Sequence, residues 1–291
     1  MTETCESFEC FGATCTVLVG GAGGREMAEA ARDLLLAWHD RFTRFDPGSE
    51  LSRLNADRRA SIPVTPMMAR LAAAVADAAL LTDGLVDGTL LDEVEDAGYR
   101  ADLTAPLDLP TALSLAPPRR AAAPRAPVPE LSVDFHALVV RRAPGLRIDG
   151  GGLAKGLFAD VVAETLFGRT FAIDCAGDVR VGGHARRVDV QCPFDGRTLH
   201  HFTLADAGVA TSGIGRRSWL DSRGEPAHHL IDPATGRAAF TGVVQATAIA
   251  PTALEAEVRA KAALLSGPER AAEWLPDGGV IVLDDGNHLT I

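Results

Sequence analysis

The chain predicts an α+β fold, with antiparallel sheets and packed helices arranged as two merged lobes of one domain spanning residues 1–291. Three observations point there. Strand-like segments are interrupted by helices without the strict alternation that a doubly wound sheet requires. No internal repeat is visible. The 291 residues, 47% of them hydrophobic, can bury a substantial core.

Cys15 to Val19 reads as a short strand, and Gly20-Gly-Ala-Gly-Gly24 leads into a helix ending near His39. A dinucleotide fingerprint needs a third glycine, and counting from Gly21 and Gly23 that place holds Glu26, so a hairpin or strand-to-helix turn is the simpler reading. Phe42 to Asn55 is turn-rich, with Asp46-Pro-Gly48 suited to a tight reversal. Pro66 to Thr82, dominated by Ala and Leu, predicts a helix. The stretch of about 105–130 carries prolines at 106, 110, 117, 118, 124, 127 and 129, which predicts a surface loop rather than a regular element.

Strands are expected at Ser132 to His136 and Leu138 to Arg142, followed by the most informative segment, Arg147-Ile-Asp-Gly-Gly-Gly152 and the helix after it. Leu153, Leu157, Val161 and Leu166 fall near helical spacing, and Gly168 suits a C-terminal cap. Glycines let main-chain N–H groups approach a ligand, and a helix N-terminus attracts anions, so this turn reads as an anion cradle with Lys155 within reach of a phosphate. Further strands are expected at Thr170 to Asp174, Val179 to Val181, Arg187 to Gln191, His200 to Leu204 and Val243 to Ala250. A helix over Ala253 to Ser266 is announced by Thr252 and Glu255 in capping-box spacing. A short helix end at Trp274 and a strand over Val280 to Leu283 follow.

The formal charge of −11 offers no basic footprint for a nucleic-acid backbone, so any anionic ligand must be small and locally held. Five cysteines, an odd number without paired CxxC units, fit free thiols in a reducing, cytoplasmic compartment. Met1 to Val19 shows neither a leader pattern nor a membrane anchor, and no membrane insertion is expected. His200, His201 and His228 lack a further close ligand at a zinc-site spacing.

Beside the glycine turn stand Phe45-Asp-Pro-Gly-Ser-Glu-Leu-Ser-Arg-Leu-Asn55, Ala210-Thr-Ser-Gly213, His229-Leu-Ile-Asp-Pro-Ala-Thr-Gly236 and the helix around Glu257 and Lys261. In order and spacing, from about Phe11 to Gly267, these segments resemble the ApbE-type flavin transferases, a T-fold-related family. Members move the FMN half of FAD onto a threonine or serine of an acceptor flavoprotein, with magnesium as cofactor. The resemblance implies FAD contacts at Phe11, Phe45, Ala97, Gly98, Tyr99, Asp149, Lys155, Thr211, Ser212 and Ile231. It implies that His229 accepts the acceptor hydroxyl's proton, and an imidazole with an ordinary pKa of about 6.5 suits that work near neutrality.

The family's metal positions fall on Gly152, Glu257 and Lys261, where the last two are usually aspartate and threonine. Glutamate keeps an oxygen donor on a longer arm, but an ammonium has no acceptor and cannot ligate a cation. Lys261 is therefore expected to stand in for the metal's charge, unless it and Glu257 are only a surface pair at helical spacing. That departure keeps two rival activities open: an FAD-binding protein without transfer, and hydrolysis of FAD to FMN and AMP.

Overall fold

A computed structural model describes residues 3–101, 103 and 106–291. Strands β1 (Glu3–Cys10) and β2 (Ala13–Gly20) form a hairpin and lead into helices α1 (Gly24–Phe42) and α2 (Glu50–Ala56). Then come β3 (Ser61–Pro63), α3 (Pro66–Leu81), α4 (Leu91–Asp96), α5 (Leu109–Leu115), β4 (Leu131–Asp134) and β5 (Val139–Arg142). Helix α6 (Ala154–Thr165) precedes β6 (Phe171–Cys175), β7 (Asp178–Gly182), β8 (Arg186–Gln191), β9 (Thr198–Leu204) and β10 (Ala207–Gly213). Short strands β11 (Ser218–Leu220), β12 (Pro226–His228), β13 (Ile231–Asp232) and β14 (Arg237–Ala238) lead to β15 (Val243–Ala250), α7 (Ala253–Ser266), β16 (Gly279–Leu283) and β17 (His288–Thr290).

The main sheet has eight strands in the order β1-β2-β6-β7-β10-β15-β16-β17, every neighbouring pair antiparallel. A three-stranded sheet, β3-β5-β4, and three two-stranded ribbons complete the β structure. The α+β expectation holds. All eight residues of β15 are buried, as a strand covered on both faces requires. Helices α6 and α7 pack on each other and on this sheet.

The α6–α7 crossing has a local cause. Gly156 faces the backbone of α7, and a Cβ built there would lie 2.7 Å from the Ala253 carbonyl oxygen. From α6 the Asp160 carboxylate accepts the N–H groups of Ala253 and Leu254 at 2.9 Å each, satisfying donors that open the α7 N-terminus. Thr252 caps the same turn by accepting from Glu255 N–H at 3.2 Å. Inside the crossing Phe158 is fully buried, with its ring centroid 5.3 Å from Trp38 and 5.7 Å from Phe42 on α1. Burial of such a side chain contributes about 1.5–3 kcal/mol.

Two stretches differ from expectation. The turn-rich segment contains α2, because Ser49 accepts from Ser52 N–H at 3.0 Å while Leu51 and Leu54 turn into the core. The proline-rich stretch contains α5: Asp108 caps it, and Pro110 stands in the first turn, where no N–H is needed. Ala105, at the edge of that stretch, lies outside the described residues. Among the described residues no helix is long and apolar enough to cross a membrane.

Candidate functional site

A cavity of about 710 Å³ opens beside the β1–β2 hairpin tip, the end of α1, the glycine turn and α7. That volume lies within the range of roughly 300–1,000 Å³ common for small-molecule and cofactor sites. Its lining has two characters. Phe11, Phe45, Tyr99, Phe158 and Ile231 supply aromatic and apolar surface, while Arg44, Lys155, Arg216, Arg217 and Lys261 supply positive charge.

Phe11 reaches the cavity from the two-residue turn of the hairpin, where Phe11 and Gly12 take φ values of 57° and 76°. Left-handed backbone at a bulky residue is uncommon, and such strain persists where surrounding contacts enforce it. Here the ring packs edge-on against His39 at 5.2 Å, and the Phe11 carbonyl accepts from Arg217 at 3.3 Å. Across the cavity the Arg44 guanidinium lies 4.3 Å from the Phe45 ring centroid and 4.5 Å from that of Tyr99. Arg44 Nε comes within 3.9 Å of Asp149, but its buried Nη2 has no hydrogen-bond partner among the described residues.

The glycine turn lines the cavity from Asp149 through Lys155. None of its three glycines adopts left-handed backbone, so their value is room rather than conformation. At Gly150 a built Cβ would touch Leu71 Cδ2 at 3.0 Å, and at Gly152 it would meet Lys261 Cε at 2.7 Å. The turn's own N–H groups are largely engaged. Gly151 donates to Asp149 at 2.8 Å, Leu153 and Ala154 both donate to the Gly150 carbonyl, and Gly156 donates to Glu257 at 3.0 Å. The expected amide cradle is thus partly spent within the chain, and side-chain cations face the cavity instead.

Those cations rest on two buried carboxylates. Lys155 pairs with Asp178 and lies 4.0 Å from Glu257, while Lys261 donates to Glu257 at 3.1 Å. Burial opposes the charge on Lys155, but Asp178 and Glu257 outweigh it and hold the ammonium above its ordinary range. Burial likewise opposes ionisation of Glu257, yet Lys261, Lys155 and the Gly156 N–H keep it below the usual carboxylate range. Asp178 goes the other way: burial, with Glu257 close by, pushes it up to about 7. The upward push is a desolvation cost that the two ammonium groups offset only in part.

His229 lines the cavity, and its buried Nδ1 has no partner among the described residues. Desolvation, with Arg217, His228 and Lys261 nearby, holds the imidazole well below its ordinary pKa, so it is neutral near pH 7 but a weaker base than the ordinary imidazole expected from the sequence. The adjacent His228 is fully buried and structural, its Nδ1 accepting from Leu230 N–H at 3.2 Å.

Of the expected contacts, Phe11, Phe45, Tyr99, Asp149, Gly152, Lys155, His229, Ile231 and Lys261 share this one lining. Five stand apart from it, one of them Glu257, which is buried beneath Lys155 and Lys261. The Ala97 carbonyl accepts from Trp219 Nε1 at 2.7 Å, and Gly98 abuts the same indole, so this pair supports the aromatic wall from behind. Thr211 bonds across the sheet to Thr247 at 2.9 Å, and Ser212 is buried in β10. Sequence reading missed Arg44, Arg216 and Arg217. Arg44 directly precedes Phe45, and the other two follow Thr-Ser-Gly213 by a few residues, but lone arginines carry no spacing signal.

The model of the ApbE family matches residues 11–283. The chain belongs to the ApbE family. It is 28% identical over 248 residues to a protein of Salmonella typhimurium named FAD:protein FMN transferase, an alignment covering 80% of this chain and 69% of that one. A Vibrio cholerae protein of the same name is 29% identical over 49% of this chain and 47% of its own. The crystal structure of the ApbE protein from Thermotoga maritima superposes with a TM-score of 0.82 at 23% identity, covering 99% of this chain and 97% of that one.

For an ApbE chain the donor set is ill suited to magnesium. Glu257 Oε1 already accepts from Lys261 and Oε2 from the Gly156 N–H, and Lys261 itself offers no lone pair. Asp178 carries Lys155 on Oδ2, which leaves its buried Oδ1 as the one carboxylate oxygen of this cluster without a partner among the described residues. Among the described residues no group of three His, Cys, Asp or Glu is placed to hold a metal ion. The expected metal positions Gly152, Glu257 and Lys261 do come together, but as a glycine crossed by a lysine stem.

Proposed function

We propose that this protein moves FMN from FAD onto a Thr or Ser hydroxyl of an acceptor flavoprotein, with release of AMP. One juxtaposition carries the reading: aromatic surface suited to an isoalloxazine ring and a set of cations suited to a diphosphate share one cavity with His229. The likeness to the Salmonella FAD:protein FMN transferase supports the same activity. Residues 1–291 act as one flavin-transferase domain, and the free thiols among the described residues suit a reducing cytoplasm.

In this reading Phe11, Phe45, Tyr99 and Ile231 flank the ring, and Asp149 binds a ribose or base group. Lys155 and the cavity arginines hold the phosphates. The acceptor oxygen attacks the FMN phosphorus, its proton passes to His229, and the bond to the bridging oxygen breaks so that AMP leaves with that oxygen. Positive side chains stabilise the charge on the phosphoryl oxygens.

The Lys261 and Glu257 pair favours a second reading, in which FAD is held without transfer. Incubating the protein with FAD and a threonine-bearing acceptor separates the outcomes. A fluorescent acceptor with one AMP released per flavin attached supports transfer, free FMN with AMP indicates hydrolysis, and intact bound FAD indicates storage. Absence of both binding and products defeats the flavin reading.

A further inference from the structure

Two ammonium groups and two carboxylates stand together beside the cavity, and the glycine turn is shaped around one of them. Lys155 sits on Asp178, Lys261 sits on Glu257, and Lys155 also approaches Glu257 at 4.0 Å. The Lys261 stem crosses Gly152 so closely that a Cβ there would lie 2.7 Å from Cε and 3.6 Å from Nζ.

We propose that Lys261 replaces a divalent cation, so that the chain binds the diphosphate of its nucleotide without magnesium. The proposal rests on the flavin-nucleotide reading above and specifies how that site meets phosphate.

Burial decides against an ordinary surface pair. The Glu257 and Lys261 side chains are 2% and 12% exposed, so their charges interact through protein more than through solvent. A solvated helix face would leave both open to water and would need no glycine beneath the lysine. The departure in charge is confined to Lys261, which lies on the cavity lining beside Lys155.

The carboxylate that would have to bind a metal has both oxygens engaged, one by Lys261 and one by the Gly156 N–H. An incoming cation would have to displace the Lys261 ammonium against repulsion from Lys155, 4.0 Å from the same carboxylate. The turn amides of Gly151, Leu153, Ala154 and Gly156 are bonded within the chain, so the side-chain cations supply compensation that these four N–H groups do not. Lys261 lies on the same lining as Lys155, Arg217 and His229, where that compensation is required.

The test is titration calorimetry of FAD into the full chain, once in EDTA and once in millimolar magnesium, alongside thermal unfolding in both buffers. The expected result is the same affinity and the same FAD-induced rise in Tm in either buffer. Lys261→Met should weaken binding by about tenfold or more in both buffers. Lys261→Thr should weaken it in EDTA and regain affinity with magnesium. Binding of FAD by the unaltered chain only when magnesium is present overturns this proposal while leaving the flavin reading intact. Absence of FAD binding in both buffers overturns the flavin reading and this proposal with it. The unaltered chain alone decides these outcomes, so a variant that fails to fold does not shield the proposal.

Discussion

Gly156 meets Ala253 at the point where α6 crosses α7, with a built Cβ only 2.7 Å from the Ala253 carbonyl oxygen and 2.8 Å from Leu254 Cα. Both obstacles are backbone and cannot rotate aside. Gly156→Ala should therefore force the helices apart and destabilise the fold by about 1–3 kcal/mol. Because parting the helices would also draw the residue-156 N–H away from Glu257, FAD affinity should fall in the same variant. Urea unfolding followed by flavin titration checks both effects.

Phe11 makes the opposite demand, since it occupies a strained left-handed position and still carries a bulky ring. Phe11→Gly should relieve the strain, leaving the denaturation midpoint little changed. Loss of the aromatic contact should weaken FAD binding by roughly 0.5–1.5 kcal/mol. A variant that unfolds readily yet binds FAD normally would assign Phe11 to the core alone.

His229 is held neutral by burial and by the Arg217 charge. His229→Gln should lower the transfer rate by about 10²–10⁴-fold while changing FAD affinity little. In the unaltered protein the acid limb of kcat/KM should lie below the ordinary histidine range. Single-turnover rates measured across a pH series test both statements.

His228 sets a stability window rather than a rate. Burial lowers its pKa from 6.5 to about 3, so between those values the unfolded chain binds a proton that the folded chain refuses. Its contribution is complete above 6.5 and is lost as pH falls toward 3. His228→Gln removes one such proton. The slope of unfolding free energy against pH on the acid side should become shallower by about 1.4 kcal/mol per pH unit. Urea midpoints collected at several acidic pH values check this.

Elements with strong local signals were legible in the sequence. Thr252 and Glu255 marked the start of α7, the Ala and Leu pattern after Pro66 marked α3, and the break at Gly150 marked the start of α6. Helix α2 was hidden because Asp46-Pro-Gly48 speaks for a turn, and it does turn the chain; the cap at Ser49 begins only afterwards. Strand β1 was missed because only Cys10 in it is buried and the rest alternate between exposed and half-buried, so no apolar run announces it. The three glycines were correctly singled out but for an incomplete reason. Their backbone is ordinary, and two of them, Gly150 and Gly152, supply space for Leu71 and Lys261, residues distant in the chain that no local pattern reveals. Burial of the Glu257 and Lys261 pair could not be read from helical spacing, which is the same for a wet face and a dry one.

The cavity lining runs from Glu9 on the first hairpin to Leu265 near the end of α7. During synthesis the opening hairpin is therefore made long before the lysine that completes the positive wall. Retention of the nucleotide should mark the moment when the late helix docks, so a bound flavin would report completed maturation of the polypeptide as well as readiness for chemistry.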